Sequence, residues 1–342
     1  MAPQTNLFVT GGQTRSAAER LKRFAFNNAP VLTTITIFVV AYLLAGRVYP
    51  AMQKPQVFFN LFINNASLLI VSIGMTLVII TGGIDLSVGG VIALTSVASA
   101  SLLRSGVSPL VVMPLMIVIG ILFGMTLGSI IHFFKVQPFI VTLMGAYFAR
   151  GLAYIISLEA VPIENSAYKS LALTPINLPT VPNSYVYVYA FIGPILLLVA
   201  IYLSFFTRFG RTIYAIGNNE QSARLMGLPA GRTKIAVYTF SGFCSSLAGI
   251  VWSIALLSGY GQYAPTMELD AIAAVVIGGT MLTGGAGNVI GTAFGVLITG
   301  TIISILQFNG TLSSWWTRIV VGVLTLIFIG VQSFLYRRGK RS

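Results

Sequence analysis

The chain is poor in the groups on which most protein chemistry is built. It has one cysteine, Cys244, and one histidine, His132, in 342 residues. A single cysteine cannot close an internal disulfide. One Cys with one His cannot assemble a zinc or iron site of the usual ligand types. They read as a packed thiol inside an apolar run and a polar residue at a helix end. Acidic residues number 7, and charged residues of both signs make up 8% of the chain, against about 25% in a soluble globular protein. Also missing are a Gly-x-x-x-x-Gly-Lys-Ser/Thr phosphate loop, a Gly-x-Ser-x-Gly elbow and a His-Glu-x-x-His pair. Enzymatic chemistry is unsupported, no cofactor is expected on this chain, and any ATP that drives it binds elsewhere.

What is abundant is apolar surface. Hydrophobic residues make up 56% of the sequence. So much apolar surface with so few charges points to the lipid bilayer as solvent. The net charge of +13 does not imply nucleic acid. The basic residues lie in short clusters between long apolar runs, the pattern that orients membrane helices. Measured against the ~20 residues that cross a bilayer, the runs are Val31–Ala45, Val57–Thr81, Ser87–Leu103, Pro109–Phe134, Phe139–Ser157, Tyr185–Phe206, Ile235–Leu257, a short Ala271–Leu282, Val289–Gln307 and Thr317–Tyr336. The fold class this predicts is all-α: a polytopic membrane helix bundle of about ten transmembrane helices with both termini cytoplasmic.

Charge distribution tests that topology. The inside segments hold Arg15, Arg20, Lys22, Arg23, Lys135, Arg208, Arg211, Arg224, Arg232, Lys234, Arg337, Arg338, Lys340 and Arg341. The outside segments hold only Arg47, Lys54, Arg104, Lys169 and Arg318. This bias obeys the positive-inside rule. Residues 1–25 lack apolar periodicity and read as a mobile cytoplasmic tail, and 26–342 as a single transmembrane domain. The basic stretch before Val31 resembles a signal peptide but has no clear small-residue cleavage site, so the first run reads as an uncleaved helix.

Small residues recur four apart at Gly120, Gly124 and Gly128, at Ser241, Ser245 and Gly249, and at Gly287, Gly291 and Gly295. Such stripes let helix backbones approach closely. Two glycine turns stand out. In Thr81-Gly82-Gly83-Ile84-Asp85-Leu86-Ser87-Val88-Gly89, glycines bracket a carboxylate, and Asp85 or Ser87 can cap the next helix. The alternative is a hinge or a polar point near the membrane boundary. Gly278-Gly279-Thr280 through Gly287 forms the second turn on the same predicted side. Glycine-interrupted short helices can mark a substrate site or a moving part.

Other polar residues are candidates for the substrate path. Asn64 and Asn65 interrupt the second run. Arg150 sits near the middle of the fifth, where a charge must be paired or face a wet cavity; Tyr147, Phe148 and Tyr154 lie close by in sequence and suit either packing or a sugar ring. Glu268 and Asp270 precede the eighth run and read as outside acids at a helix start, with proton coupling the sharper reading of a membrane carboxylate. The inside loop from Thr207 to Lys234 carries Arg208, Arg211, Asn218, Asn219, Glu220, Arg224 and Gly227. Asn218 or Asn219 can cap a short helix that Gly227 and Pro229 end. Such a helix outside the membrane is something a cytoplasmic partner can push on.

Three of these segments resemble the ribose-type ABC sugar permeases: Gly82-Gly83-Ile84-Asp85-Leu86-Ser87-Val88-Gly89; Tyr214-Ala215-Ile216-Gly217-Asn218-Asn219 with Ala223-Arg224-Leu225-Met226-Gly227; and Glu268-Leu269-Asp270 through Gly278-Gly279. The resemblance runs from about residue 31 to 336. Val161-Pro162-Ile163-Glu164-Asn165 and the stretch from Gly310 to Thr317, with Trp315, are most similar to a permease of the galactofuranose importer. The resemblance implies a multi-pass protein of the bacterial inner membrane that passes sugar inward by alternating access. It also implies a cytoplasmic ATPase that binds the ATP, a periplasmic sugar-binding protein and a second, non-identical permease. Asn218–Gly227 then corresponds to the element that docks on the ATPase. The competing expectations are an ion-coupled secondary sugar transporter, a solo channel, and a permease for another pentose, hexose or sugar-like signal molecule.

Overall fold

The computed structural model describes residues 29–179, 181–310 and 314–339; the N-terminal tail expected over residues 1–25 lies outside them. Its helices are α1 (Ala29–Val48), α2 (Pro55–Asn64), α3 (Ala66–Ile80), α4 (Val88–Arg104), α5 (Pro109–Phe134), α6 (Pro138–Ile156), α7 (Ser166–Leu173), α8 (Ile192–Phe206), α9 (Arg208–Asn218), α10 (Glu220–Leu225), α11 (Ala230–Leu256), α12 (Met267–Ile277), α13 (Val289–Asn309) and α14 (Ser314–Gly339). Among the described residues six helical segments are long and apolar enough to cross a bilayer, and the bent pair α2–α3 makes a seventh. Every apolar run of the sequence meets a helix, but α4 and α12, with 17 and 11 residues, are short.

The centre of the bundle is α3, all 15 of whose residues are buried. Its sequence is apolar all round, as a helix enclosed by other helices requires. The second run was expected to be one continuous span. It is broken at Asn65, and the two halves bend by 55°. Asn65 Nδ2 donates to Leu61 O at 2.8 Å, so the amide side chain satisfies a carbonyl at the break, as a membrane interior demands.

The glycine stripes fall at helix contacts. Gly124 of α5 packs on the backbone of Tyr238 and Gly242 in α11, and Gly120 packs on Ser246. Gly291 and Gly295 of α13 lie against Gly278 and Ala274, at the end of α12 and just beyond. Two small antiparallel sheets, unforeseen in the sequence, join β1 (Val161–Pro162) to β4 (Ser258–Gly259) and β2 (Pro175–Asn177) to β3 (Tyr185–Tyr187). They sit at the end of the bundle where α11 finishes. The opposite end carries α9, α10 and the basic residues.

The α5–α11 contact generates a test. Gly124→Leu should displace α11 and destabilise the protein by at least about 2 kcal/mol, the cost typical of overpacking. Thermal denaturation in mild detergent, followed by size-exclusion, measures it; an unshifted midpoint would show that backbone approach does not hold this pair.

Candidate functional site

Two helices begin deep in the bundle instead of at its surface. After α3 the chain turns at Gly82, whose φ of 79° suits glycine, and runs back inward to Ser87. There α4 starts beside the midpoints of two long helices: Gly90 abuts Ala146 of α6, and Asp85 reaches Ser241 of α11. The first turn of α12 meets the same level, because a Cβ on Gly89 would come within 2.5 Å of Glu268 Oε2. From this shared level α4 runs toward the sheet end, where Ser96 and Ala100 pack on Gly259, and α12 runs toward the basic end. The sequence reading had placed Glu268 and Asp270 at the outer boundary. The structure corrects this: the segment before α12 folds back into the bundle and carries both acids inward.

The electrostatics follow from that geometry. A helix start exposes unsatisfied N–H groups and partial positive charge, and here two starts converge. Asp85 is 1% exposed. Its Oδ1 accepts from Ser87 N at 2.9 Å and Ser87 Oγ at 2.6 Å, and its Oδ2 accepts from Ser241 Oγ at 2.6 Å. The carboxyl therefore closes a turn onto Ser87, the residue at which α4 begins, and ties that turn to α11; α4 itself has no side-chain cap. Arg150, half-buried, donates to Gly261 O at 2.8 Å and Tyr263 O at 3.3 Å and supplies positive charge to Glu268. It thereby holds the inward-folded segment in place. Tyr154 packs on Gly261 beside it. Tyr147, about one turn before Arg150 on α6, is 72% exposed.

A half-open cavity of about 400 Å³ leads from the sheet end down to the start of α12. Its walls include Asn64, Asn65, Tyr189, Trp252, Met267 and Asp270. Asp270 is the one charged group among these lining residues. Trp252 was not singled out in the sequence, where it reads as one more apolar residue of a span. The structure shows that its Nε1–H has no acceptor among the described residues. Trp315 stands outside this cavity, 66% exposed and with the Arg318 guanidinium 5.1 Å from its ring centre.

At the basic end α9 lies across both glycine turns. Gly217 packs on Ile80 O and Gly285, Asn218 Nδ2 donates to Gly285 O at 3.3 Å, and Tyr214 Oη donates to Gly287 O at 2.9 Å. The turns also touch each other, Gly285 N donating to Ile80 O at 2.9 Å. Arg208 and Arg211 are on the exposed face. Asn219 caps α10 by accepting from Ser222 N at 2.8 Å, and Gly227, at φ 76°, ends it. Arg224 pairs with Glu220 at 2.5 Å, and Lys234 of α11 bonds the other carboxylate oxygen. Partial burial opposes the Glu220 charge, but the bonds and charges of Lys234 and Arg224 outweigh it and hold the carboxyl below its usual range. Leu225 and Met226 project from this anchored helix, 83% and 68% exposed.

A bundle with two half-helices, a half-open cavity carrying a few polar groups at one end and an anchored helix pair at the other describes a membrane transport subunit. Residues 57–329 match the family described as branched-chain amino acid transport system / permease component. The inner membrane ABC transporter permease protein YjfF of Escherichia coli strain K12 is 44% identical over 306 residues, covering 89% of this chain and 92% of that one. The fructose import permease protein FruG of Bifidobacterium longum is 37% identical, covering 89% of this chain and 90% of that one. The ribose import permease protein RbsC of Escherichia coli strain K12 is 36% identical, covering 80% and 85%. No solved structure matches. The chain belongs to this permease family; it is a multi-pass inner-membrane transport subunit of the ABC sugar-importer type, not an enzyme.

Two outcomes test the site. Asp85→Ala leaves two buried hydroxyls unpaired and should cost about 1–3 kcal/mol, read as a lowered melting midpoint, whereas Asp85→Asn should retain most of it. For Glu220, a lowered pKa means the carboxylate supports the loop above its usual range and releases it as pH falls through the lowered value. Deuterium exchange at residues 219–227, corrected for intrinsic rates, should rise only at acid pH, and in Glu220→Gln should be raised already at neutral pH.

Proposed function

We propose that the cavity beside Trp252 is the sugar path of an ATP-driven importer for galactofuranose or a related monosaccharide. The carrying observation is a wall in which the rings of Trp252 and Tyr189 stand beside the amides of Asn64 and Asn65. Indole and phenol faces suit a sugar ring, and amides satisfy hydroxyls. The family's description names amino acids, but Asp270 is the one charged side chain among the lining residues, so an amino acid's carboxylate would meet no side-chain cation there. Relatives whose names print fructose and ribose favour a sugar in the same way. The galactofuranose branch rests on Val161–Asn165 and the stretch from Gly310 to Thr317, of which 311–313 lie outside the described residues.

The basic end faces the cytoplasm by the positive-inside rule. A cytoplasmic ATPase binds the ATP and presses on Leu225 and Met226, with Arg208, Arg211 and Arg224 around them; this chain binds no cofactor of its own. A periplasmic binding protein delivers sugar at the sheet end, where Val161–Pro162 and Ser258–Gly259 pair. A second, non-identical permease completes the pathway. Asn218 and Tyr214 link α9 to the glycine turn after α12, and Gly217 packs on Ile80 just before the turn into α4, so closure of the ATPases is transmitted toward both half-helices and shifts the population from outward-open to inward-open.

Mild-detergent pull-down of the tagged chain with mass spectrometry is the first test; an ATPase together with a different permease is the expected company, and an ATPase with this permease alone would replace the heterodimer by a homodimer. Trp252→Leu keeps apolar bulk and removes the ring face, so sugar uptake should fall about threefold to tenfold at unchanged expression, the worth of one aromatic contact. Arg224→Glu should abolish sugar-stimulated ATP turnover while leaving membrane insertion intact.

A further inference from the structure

A second cavity at the basic end shares Arg224 with the ATPase-facing helix, but the rest of its lining has no role in that reading. It has a volume of about 530 Å³ and lies between the α5–α6 hairpin and the start of α11. His132, Lys135 and Gln137 line it from the hairpin, and Gln221, Arg224 and Lys234 from the other side, with Glu220 between them. Three cations against one carboxylate leave a surplus of two positive charges, counting His132 as neutral. Glu220 is already engaged by Arg224 and Lys234. Lys135 has no carboxylate partner among the described residues, and its left-handed conformation, φ 55°, closes the end of α5.

An apolar groove of about 610 Å³ continues from this pocket between α5 and α6, with Val136 lining both. Ile119, Phe123, Leu127 and Gly145 form its floor, and Leu122, Met144 and Phe148 stand exposed along it at 50%, 69% and 63%. From Ile130 back to Ile119 its lining extends roughly 17 Å along α5, comparable to the ~15 Å of hydrocarbon in one leaflet. A basic pocket at the membrane boundary joined to a lipid-length apolar slot has the form of a headgroup site with its acyl channel.

We propose that the pocket around Lys135 and the groove between α5 and α6 form a binding site for one anionic phospholipid of the leaflet at the basic end. Its phosphate is held by Lys135, Arg224 and Lys234, and one acyl chain lies along Phe123 and Met144. The bound lipid would then bridge the α5–α6 hairpin to α10, so lipid charge would set how firmly the partner-facing helix is anchored.

Native mass spectrometry of the full chain with its partners, in micelles containing phosphatidylglycerol or phosphatidylcholine, tests this. One phosphatidylglycerol per chain should survive activation that strips phosphatidylcholine. Lys135→Asn keeps a residue tolerant of the left-handed conformation and removes the charge, so retention should fall about fivefold. Met144→Trp, at an exposed position, should fill the slot and lower retention as well. Equal retention of the two lipids, or unchanged retention in both variants, would overturn the proposal. So would displacement of phosphatidylglycerol by millimolar inorganic phosphate, which would reveal an anion site without a lipid channel. Cross-linking of Lys135 to the ATPase with loss of lipid would make the pocket a protein interface instead.

Discussion

The structure depends on how two helices can begin inside a membrane. Each start presents N–H groups with no intrahelical acceptor, and hydrocarbon offers none. In this chain the starts of α4 and α12 are brought to one level and given carboxylates: Asp85 before the first, Glu268 and Asp270 within the second. The convergent partial charges that would repel each other become the environment in which buried acids are tolerated. Ser87 and Ser241 complete Asp85, and Arg150 faces Glu268. The small-residue stripes serve the same end, since the half-helices reach this level only if Gly89 and Gly90 allow Glu268 and Ala146 to approach.

Much of this was legible beforehand, and the failures share one cause. The family motifs, the capped helix after Asn219, the end at Gly227 and the close-packing stripes all depend on local chemistry, and local chemistry is written in adjacent residues. Depth is not. Counting apolar runs assumes that each run crosses the bilayer, so α4 was read as a full span. By the same rule Glu268 and Asp270 were put at the boundary because they precede a run. Two signals were available: the shortness of the eighth run, and the Gly- and Tyr-rich stretch Ser258-Gly259-Tyr260-Gly261-Gln262-Tyr263, too polar for the core and too apolar for an ordinary loop. Asn65 was noticed as a polar residue, but nothing adjacent to it says that the helix bends there.

Trp252 illustrates a different limit. In the sequence it stands in an apolar run like any other aromatic residue. Its significance is relational: it lines the cavity together with Asn64, Asn65 and Tyr189, which come from distant parts of the chain. Tyr147 is the converse, an aromatic close in sequence to Arg150 that the helix turns outward. Proximity along the chain selected one, and three-dimensional placement the other.

The contact of α9 with both glycine turns has a consequence for leakage. A membrane that stores energy as an ion gradient cannot tolerate a carrier that is open at both faces even briefly. If the two half-helices moved independently, some fraction of cycles would pass through such a state. Gly217 packs on Ile80 at the end of α3, Asn218 and Tyr214 bond to Gly285 and Gly287 in the loop after α12, and Gly285 is bonded to Ile80, so the segments that lead to and from the two half-helices are held together at one face. Such a strut opposes independent movement of the two segments, which is the property an insulating membrane asks of its carriers.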